Sequence, residues 1–167
     1  MLTTYSSMHG LPFAQLMEIY REGNRENGAI LAPFDTEARQ LQLAEQDFYE
    51  YLSGTFFEIP GAWYAIWWEN GKAVSALRLE PYQDGLLLEA LETMPEERGR
   101  GYGASLIRAV QEQLMQQGHI CLYSHVNKRN QPSLRVHARC GFQIIADHAV
   151  YVDGSVNSRT YTLKFEK

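Results

Sequence analysis

Between residues 95 and 107 the chain reads PEERGRGYGASLI. Six of these residues, Arg98 to Gly103, hold three glycines and two arginines. The segment then becomes apolar at helical spacing, with Leu106, Val110 and Leu114 on one face and Gly118 as a stop. Upstream, LLLEALET reads as a strand, and downstream HICLYSHV reads as another. A strand feeding a helix that returns to a strand is a βαβ unit, and that unit demands a parallel pair with a crossover. This one stretch therefore excludes an all-helical chain and a purely antiparallel sheet.

The remaining elements fall around it. Leu2 to Tyr5 reads as a short first strand, and LPFAQLMEIYREGN as a first helix between Pro12 and Gly23. RENGAILAPFD reads as a connector. Asp35 is the expected N-cap of a second helix reaching about Leu52, with Leu41, Ala44 and Phe48 on its inner face. AWYAIWWENGKAVSALRLE alternates with period two around Asn70-Gly71, a strong hairpin signal. Asp84-Gly85 is read as the next turn. NQPSLRVHARCGF is a short helix capped at Asn130 or Gln131, and the chain finishes as an antiparallel pair around DGSVNS. The expectation is a mixed α/β (α+β) fold formed by a single domain over residues 1–167. Its sheet is mostly antiparallel, with six to seven strands, a central parallel pair and helices on both faces.

A glycine-rich turn that opens a helix is suited to anions. The first amides of the helix lack partners, and its dipole favours negative charge there. Glycines 99, 101 and 103 allow close backbone approach and positive φ, while Arg98 and Arg100 add positive charge. Neither a GxxxxGK[ST] phosphate loop nor a Rossmann GxGxxG after a first strand is present.

Arg98, Gly101 and Gly103 spell R-x-x-G-x-G, and Asn130, Ser133, Gly141 and Phe142 spell N-x-x-S-(x)7-G-F after a strand ending at Val126. Together these motifs resemble the GNAT superfamily of N-acetyltransferases, specifically over about Leu86 to Phe142 and by element order elsewhere. The resemblance implies acetyl-CoA as co-substrate, lying in the gap between the fourth and fifth strands. It implies a pyrophosphate held on the backbone from Gly99 through Arg100, Gly101 and Tyr102 to Gly103 and Ala104, with Arg98 nearby. It places the pantetheine against the fourth strand near Leu91 and Thr93, with Asn130 and Ser133 alongside. The implied reaction is direct attack of an amine on the thioester.

An alkyl amine with a pKa near 10.4 is about 99.9% protonated at neutral pH, so the site needs a proton acceptor. Glu89, in a run of leucines, is the first choice and Glu92 the second. Strict alternation puts these two on opposite faces unless a bulge intervenes. The backbone N–H of Leu91 or Thr93 is the expected oxyanion donor. His137 stands where the family often carries the tyrosine that protonates the leaving thiolate, and an imidazole can do that work when protonated. That departure keeps open an acyl-CoA-binding module with little or no turnover; an anion- or nucleotide-binding protein of another family is the third reading.

His119, Cys121, Tyr123 and His125 share one face of a strand, but four such positions spread over about 20 Å, too far for one ion. No metal is expected. Trp63 and Trp67 face one way and Tyr64, Ile66 and Trp68 the other. These aromatics read as core, with an acceptor pocket or a homodimer face as alternatives. A net charge of −5 argues against nucleic acid and anionic membrane as partners. Two cysteines, with no signal sequence and no long apolar run, suit a reduced cytoplasmic protein. The acceptor walls are expected at Asn24–Phe34 and Asp153–Arg159. The acidic total and the two glutamates lean towards a cationic amine.

Overall fold

A computed structural model describes residues 1–118 and 120–167. His119, at the head of the expected stripe, lies outside the described residues. The strands are β1 Leu2–Tyr5, β2 Trp63–Glu69, β3 Lys72–Tyr82, β4 Gly85–Thr93, β5 Cys121–Asn127, β6 Gln143–Ala146, β7 Ala149–Val150, β8 Val156–Asn157 and β9 Thr160–Glu166. The helices are α1 Phe13–Ile19, α2 Arg21–Leu31, α3 Glu37–Gly54, α4 Tyr102–Met115 and α5 Gln131–Arg139.

Seven strands form one sheet in the order β1-β2-β3-β4-β5-β9-β6, and β4–β5 is its parallel pair. β9 inserts between β5 and β6, antiparallel to both. β7 and β8 form a separate small ribbon. Alternation along the central strands divides the core in two. Tyr64, Ile66 and Ala76 pack with Leu16, Ile19, Leu52 and Phe56 under α1 and α3. Ala65, Leu77, Leu79, Leu88 and Leu122 pack with Leu106, Ile107 and Val110 of α4.

Three local expectations are corrected. RENGAILAPFD is helix α2 for most of its length, because Gly28 lets it lie directly on α3: a Cβ there would meet the Gln40 carbonyl oxygen at 2.3 Å. The Gln40 amide closes the helix end by donating to the Ala32 carbonyl at 2.9 Å. The N-cap of α3 is Thr36, whose hydroxyl accepts from the Arg39 amide, and not Asp35. The β3–β4 turn is Gln83-Asp84, with φ +51° at Gln83. Gly85 already belongs to β4, where a Cβ would be 2.1 Å from the Cys121 carbonyl oxygen. The Asn70-Gly71 hairpin forms as expected, with φ +49° and +77°. No helix among the described residues is long and apolar enough to cross a membrane.

Candidate active site

The site begins with an irregularity in β4. Arg78 of β3 pairs with Glu89 and Ala76 pairs with Glu92, so two residues of β3 span three steps of β4. The extra residue sits at Ala90, which holds φ +50°, a left-handed conformation that costs a non-glycine residue roughly 1–2 kcal/mol. Tyr20, at the joint of α1 and α2, donates its hydroxyl proton to the Ala90 carbonyl at 2.6 Å, and Tyr64 donates to Tyr20 at 2.9 Å. This tyrosine pair, buried against Phe48 and Phe56, holds the bulge in place. Because Arg78 and Ala76 are two residues apart, the bulge brings Glu89 and Glu92 onto one face of the sheet.

β4 and β5 part just as β4 enters the bulge. The parallel register covers Leu86–Leu88 against Leu122–Ser124, yet β4 continues to Thr93 and β5 to Asn127. A cavity of about 530 Å³ opens at this fork. Leu91, Glu92 and Thr93 form one wall, Gly99, Gly101, Tyr102, Gly103 and Ala104 the floor, and Asn130 and Ser133 of α5 the other wall. Gly101 caps α4 at φ +85° and Gly99 holds +80°, and nothing lies within 4 Å of where their Cβ atoms would be. The first backbone bond of α4 runs from the Ser105 amide to the Gly101 carbonyl at 3.0 Å. The amides of Tyr102, Gly103 and Ala104 precede it and have no partner within the helix.

Charges around the fork are partly committed. Arg98 lines the cavity but pairs with Glu22 at 2.7 Å and Glu92 at 3.0 Å, and donates to the Thr93 carbonyl at 3.2 Å. The same Glu92 oxygen accepts the Thr93 amide at 3.1 Å. Arg100 is not part of the lining and points to Glu97 at 2.8 Å. Asn130 caps α5 by accepting the Ser133 amide at 3.1 Å. Glu89 faces away from the cavity. Two nitrogens of Arg78 donate to its Oε2, at 3.2 and 3.3 Å, and that guanidinium lies over the rings of Tyr51 and Phe56.

The structure does not bring His137 into the cavity. Its side chain is buried on the inner side of α5 and meets the Phe142 ring edge-on at 5.1 Å. Its Nδ1 lies 2.9 Å from the Ser133 carbonyl, which only accepts, so the proton is on Nδ1. Burial pushes the imidazole below its ordinary pKa and keeps it neutral near pH 7, which leaves no proton on Nε2 to give to a thiolate.

The stretch that builds the fork, the glycine floor and the walls lies within a match to a known family. The profile of the Acetyltransferase (GNAT) family matches residues 14–142. The chain belongs to that family. No curated protein sequence matches it. Similar solved structures include the PaiA N-acetyltransferase of Thermoplasma acidophilum in complex with coenzyme A. It is 11% identical, with a TM-score of 0.66 over 100% of this chain and 99% of that one. The IAA acetyltransferase of Bacillus cereus is 14% identical, with a TM-score of 0.62 over 100% and 99%. The ribosomal-protein-S18-alanine N-acetyltransferase of Escherichia coli is 16% identical, with a TM-score of 0.60 over 99% and 94%. These likenesses share the fold. The chain is thus an acetyltransferase of the GNAT type, and the family draws its acetyl group from acetyl-CoA.

Within this GNAT cavity, several lining residues carried no motif. Pro132 and Val136 extend the α5 wall, and Arg135 and Arg139, one turn apart, add two cations. The i,i+4 spacing of these arginines, after an Asn cap and beside a phosphate-type loop, is the signal that could have found them. Arg78 was missed as well; it sits opposite Glu89 through the regular register that runs from the Gln83-Asp84 turn up to the bulge.

Proposed function

We propose that the whole chain, residues 1–167, works as one N-acetyltransferase domain that moves the acetyl group of acetyl-CoA directly to a primary amine of a small molecule or peptide. The observation that carries this reading is the fork itself, an unpaired β4 edge at Leu91–Thr93 that meets a glycine floor with free helix amides. The residues fit the co-substrate. The α4 amides and Arg98 suit a pyrophosphate, each charge-assisted bond being worth about 1.5–3 kcal/mol, and Arg135 and Arg139 add positive charge at the rim. The Leu91 backbone suits an amide-bearing arm, and the Thr93 backbone joins it once the arm replaces the Glu92 and Arg98 side chains that now hold it. Bound there, acetyl-CoA supplies the activated acyl group, and the chain supplies position and charge.

The acceptor approaches over the face that carries Glu89 and Glu92. Glu80, on the same face of β3 as Arg78, is a buried third carboxylate whose pKa is raised by burial and by Glu89. Three carboxylates against Arg78 and Arg98 suit a cationic amine. Cys121 and Cys140 are both buried free thiols, which agrees with work in the reducing cytoplasm. A second reading, an acyl-CoA-binding module with little turnover, is favoured by one observation: His137 is turned into the protein and not towards the cavity. A thiol-release screen of acetyl-CoA against cationic, neutral and acidic amines separates the two. Release with cationic amines supports the transferase, whereas tight acetyl-CoA binding without release under any amine supports the module.

A further inference from the structure

The acceptor ammonium must lose a proton, and the carboxylates expected to take it are engaged. Arg78 already neutralises Glu89, and Glu92 is held by Arg98 and the Thr93 amide. A different group stands at the same place. Leu88 and Ser124 are the last pair of the parallel register, so the next residues, Glu89 and His125, stand side by side where the strands part. Alternation along β5 turns His125 to the face of Tyr123, away from the Leu122 and Val126 side chains buried under α4. Its ring lies edge-on between Tyr82, at 5.4 Å, and Tyr151, at 5.2 Å.

Both ring nitrogens of His125 are buried and have no hydrogen-bond partner among the described residues. A neutral imidazole carries one N–H and one lone pair. The N–H can rest on a tyrosine ring face as a weak donor. The lone pair cannot, because an aromatic face is itself electron-rich. The second nitrogen is therefore a basic site without a donor, on the acceptor face, beside a carboxylate.

We propose that His125 is the catalytic proton acceptor of the transfer, taking a proton from the acceptor's ammonium group at the mouth of the β4–β5 fork. This rests on the N-acetyltransferase reading above. The ammonium N–H bond breaks and its electron pair stays on nitrogen, while the proton forms a new N–H bond on His125. The neutral amine then forms the C–N bond as the C–S bond breaks. The sulfur leaves with that electron pair and takes up the second nitrogen-bound proton, giving a thiol and an amide. His125 returns its proton to water. Tyr151, in the turn closed by its own amide on the Ser155 carbonyl, covers the ring, and the acceptor displaces it.

The surrounding charge suits the role. Titratable groups on this face include Arg78, Glu80 and Tyr82 of β3, Glu89 and Glu92 of β4, Cys121 and Tyr123 of β5, Lys164 of β9, Tyr51 of α3 against Arg78, and Tyr151 in the β7–β8 turn. Burial pushes His125 below the ordinary imidazole value, and Glu89, though paired with Arg78, partly opposes that shift, so the ring is neutral at pH 7. His137 differs, lying on α5 on the other side of the sheet with Phe142 and the α4 core.

The test is His125→Gln, with His125→Ala as a second variant. Each is checked for acetyl-CoA binding by calorimetry before turnover is measured from pH 5 to 10. In the wild type, kcat falls on the acid side with a midpoint below 6.5. In both variants kcat at pH 7 drops by about 10²- to 10⁴-fold, acetyl-CoA affinity is unchanged, and the rate climbs with pH towards the amine's own pKa. Imidazole NMR gives a readout independent of turnover: the resonance missing from His125→Gln titrates below 6.5 in the wild type and moves when a productive amine is added. An acid limb that persists in the variants with kcat within threefold of wild type overturns the proposal, as does a His125 resonance that no amine moves. A wild-type chain that binds acetyl-CoA but releases no thiol with any amine in the panel overturns the transferase reading beneath it, and His125 with it.

Discussion

The two ends of the β4–β5 pair are built in opposite ways. At the closed end Gly85 lies so near the Cys121 carbonyl that no side chain fits, and Asp84 accepts the Tyr123 hydroxyl at 2.6 Å just outside. At the open end the same strands separate, Ala90 is left-handed, and Gly99 and Gly101 of the floor have empty space around them. Glycine thus serves contact at one end and access at the other. The closed end fixes the sheet so that the open end can stay unpaired. Substitutions at the two ends should therefore fail differently.

Gly85→Ala should be the most damaging. Its Cβ would overlap a backbone oxygen, so β4 and β5 must shift, at a cost of about 3 kcal/mol and roughly 6–12 °C in Tm. Calorimetry checks this, and an unchanged Tm would erase the contrast between the ends. Gly101→Ala at the open end should cost only about 1–2 kcal/mol of stability through its positive φ. Its main effect falls on acetyl-CoA: disturbing one α4 amide contact weakens affinity by at least tenfold. Titration calorimetry separates this from any folding loss.

Tyr20→Phe tests the link that keeps the open end open. It removes the donor to the Ala90 carbonyl and the acceptor of Tyr64. A stability loss of about 1–3 kcal/mol is expected, with kcat falling more than acetyl-CoA affinity, because the bulge sets the carboxylate face while the floor is elsewhere. Equal losses in both would mean that Tyr20 supports the fold without tuning the site.

The smallest effect is one of pH. His125 and His137 are both held below the ordinary imidazole value by burial. The unfolded chain then binds more protons than the folded one as pH falls through about 6.5, the ordinary imidazole value. Stability is full above that value and declines below it, until the folded rings themselves take up protons. Denaturant midpoints measured from pH 7.5 to 5 should fall, and His137→Phe should flatten part of the slope. A slope unchanged in that variant would assign the whole effect to His125 and the carboxylates.

The parts legible in the sequence were those where the backbone itself limits residue choice. Asn70-Gly71 gave its turn away because only such residues hold positive φ cheaply, and Gly99 and Gly101 did the same for the floor. What escaped was set by contacts distant in sequence. α2 hid behind Asn24, Gly28 and a polar composition, since Gly28 earns its place only when Gln40 lies on it. The bulge in β4 was foreseen as an option but is decided by Tyr20 and Tyr64, 70 and 26 positions upstream of Ala90. His137 held the motif position, yet its orientation depends on Ser133 and Phe142. His125 shows in the sequence only as one member of a strand-face stripe too spread out for a metal, because the place where two strands diverge leaves no mark in either strand.

The extra residue at Ala90 also makes the strand's odd-even count a functional quantity. Up to Glu89 the chain obeys one parity, and from Glu92 onward the other. No single substitution can undo that, because a point change alters a side chain and not the count. Deleting one residue would reset it, sending Glu92 to the α4 side and Thr93 to the acceptor side while leaving every motif letter intact. For a chain of this kind, a one-residue deletion in a strand is a larger functional event than almost any replacement within it.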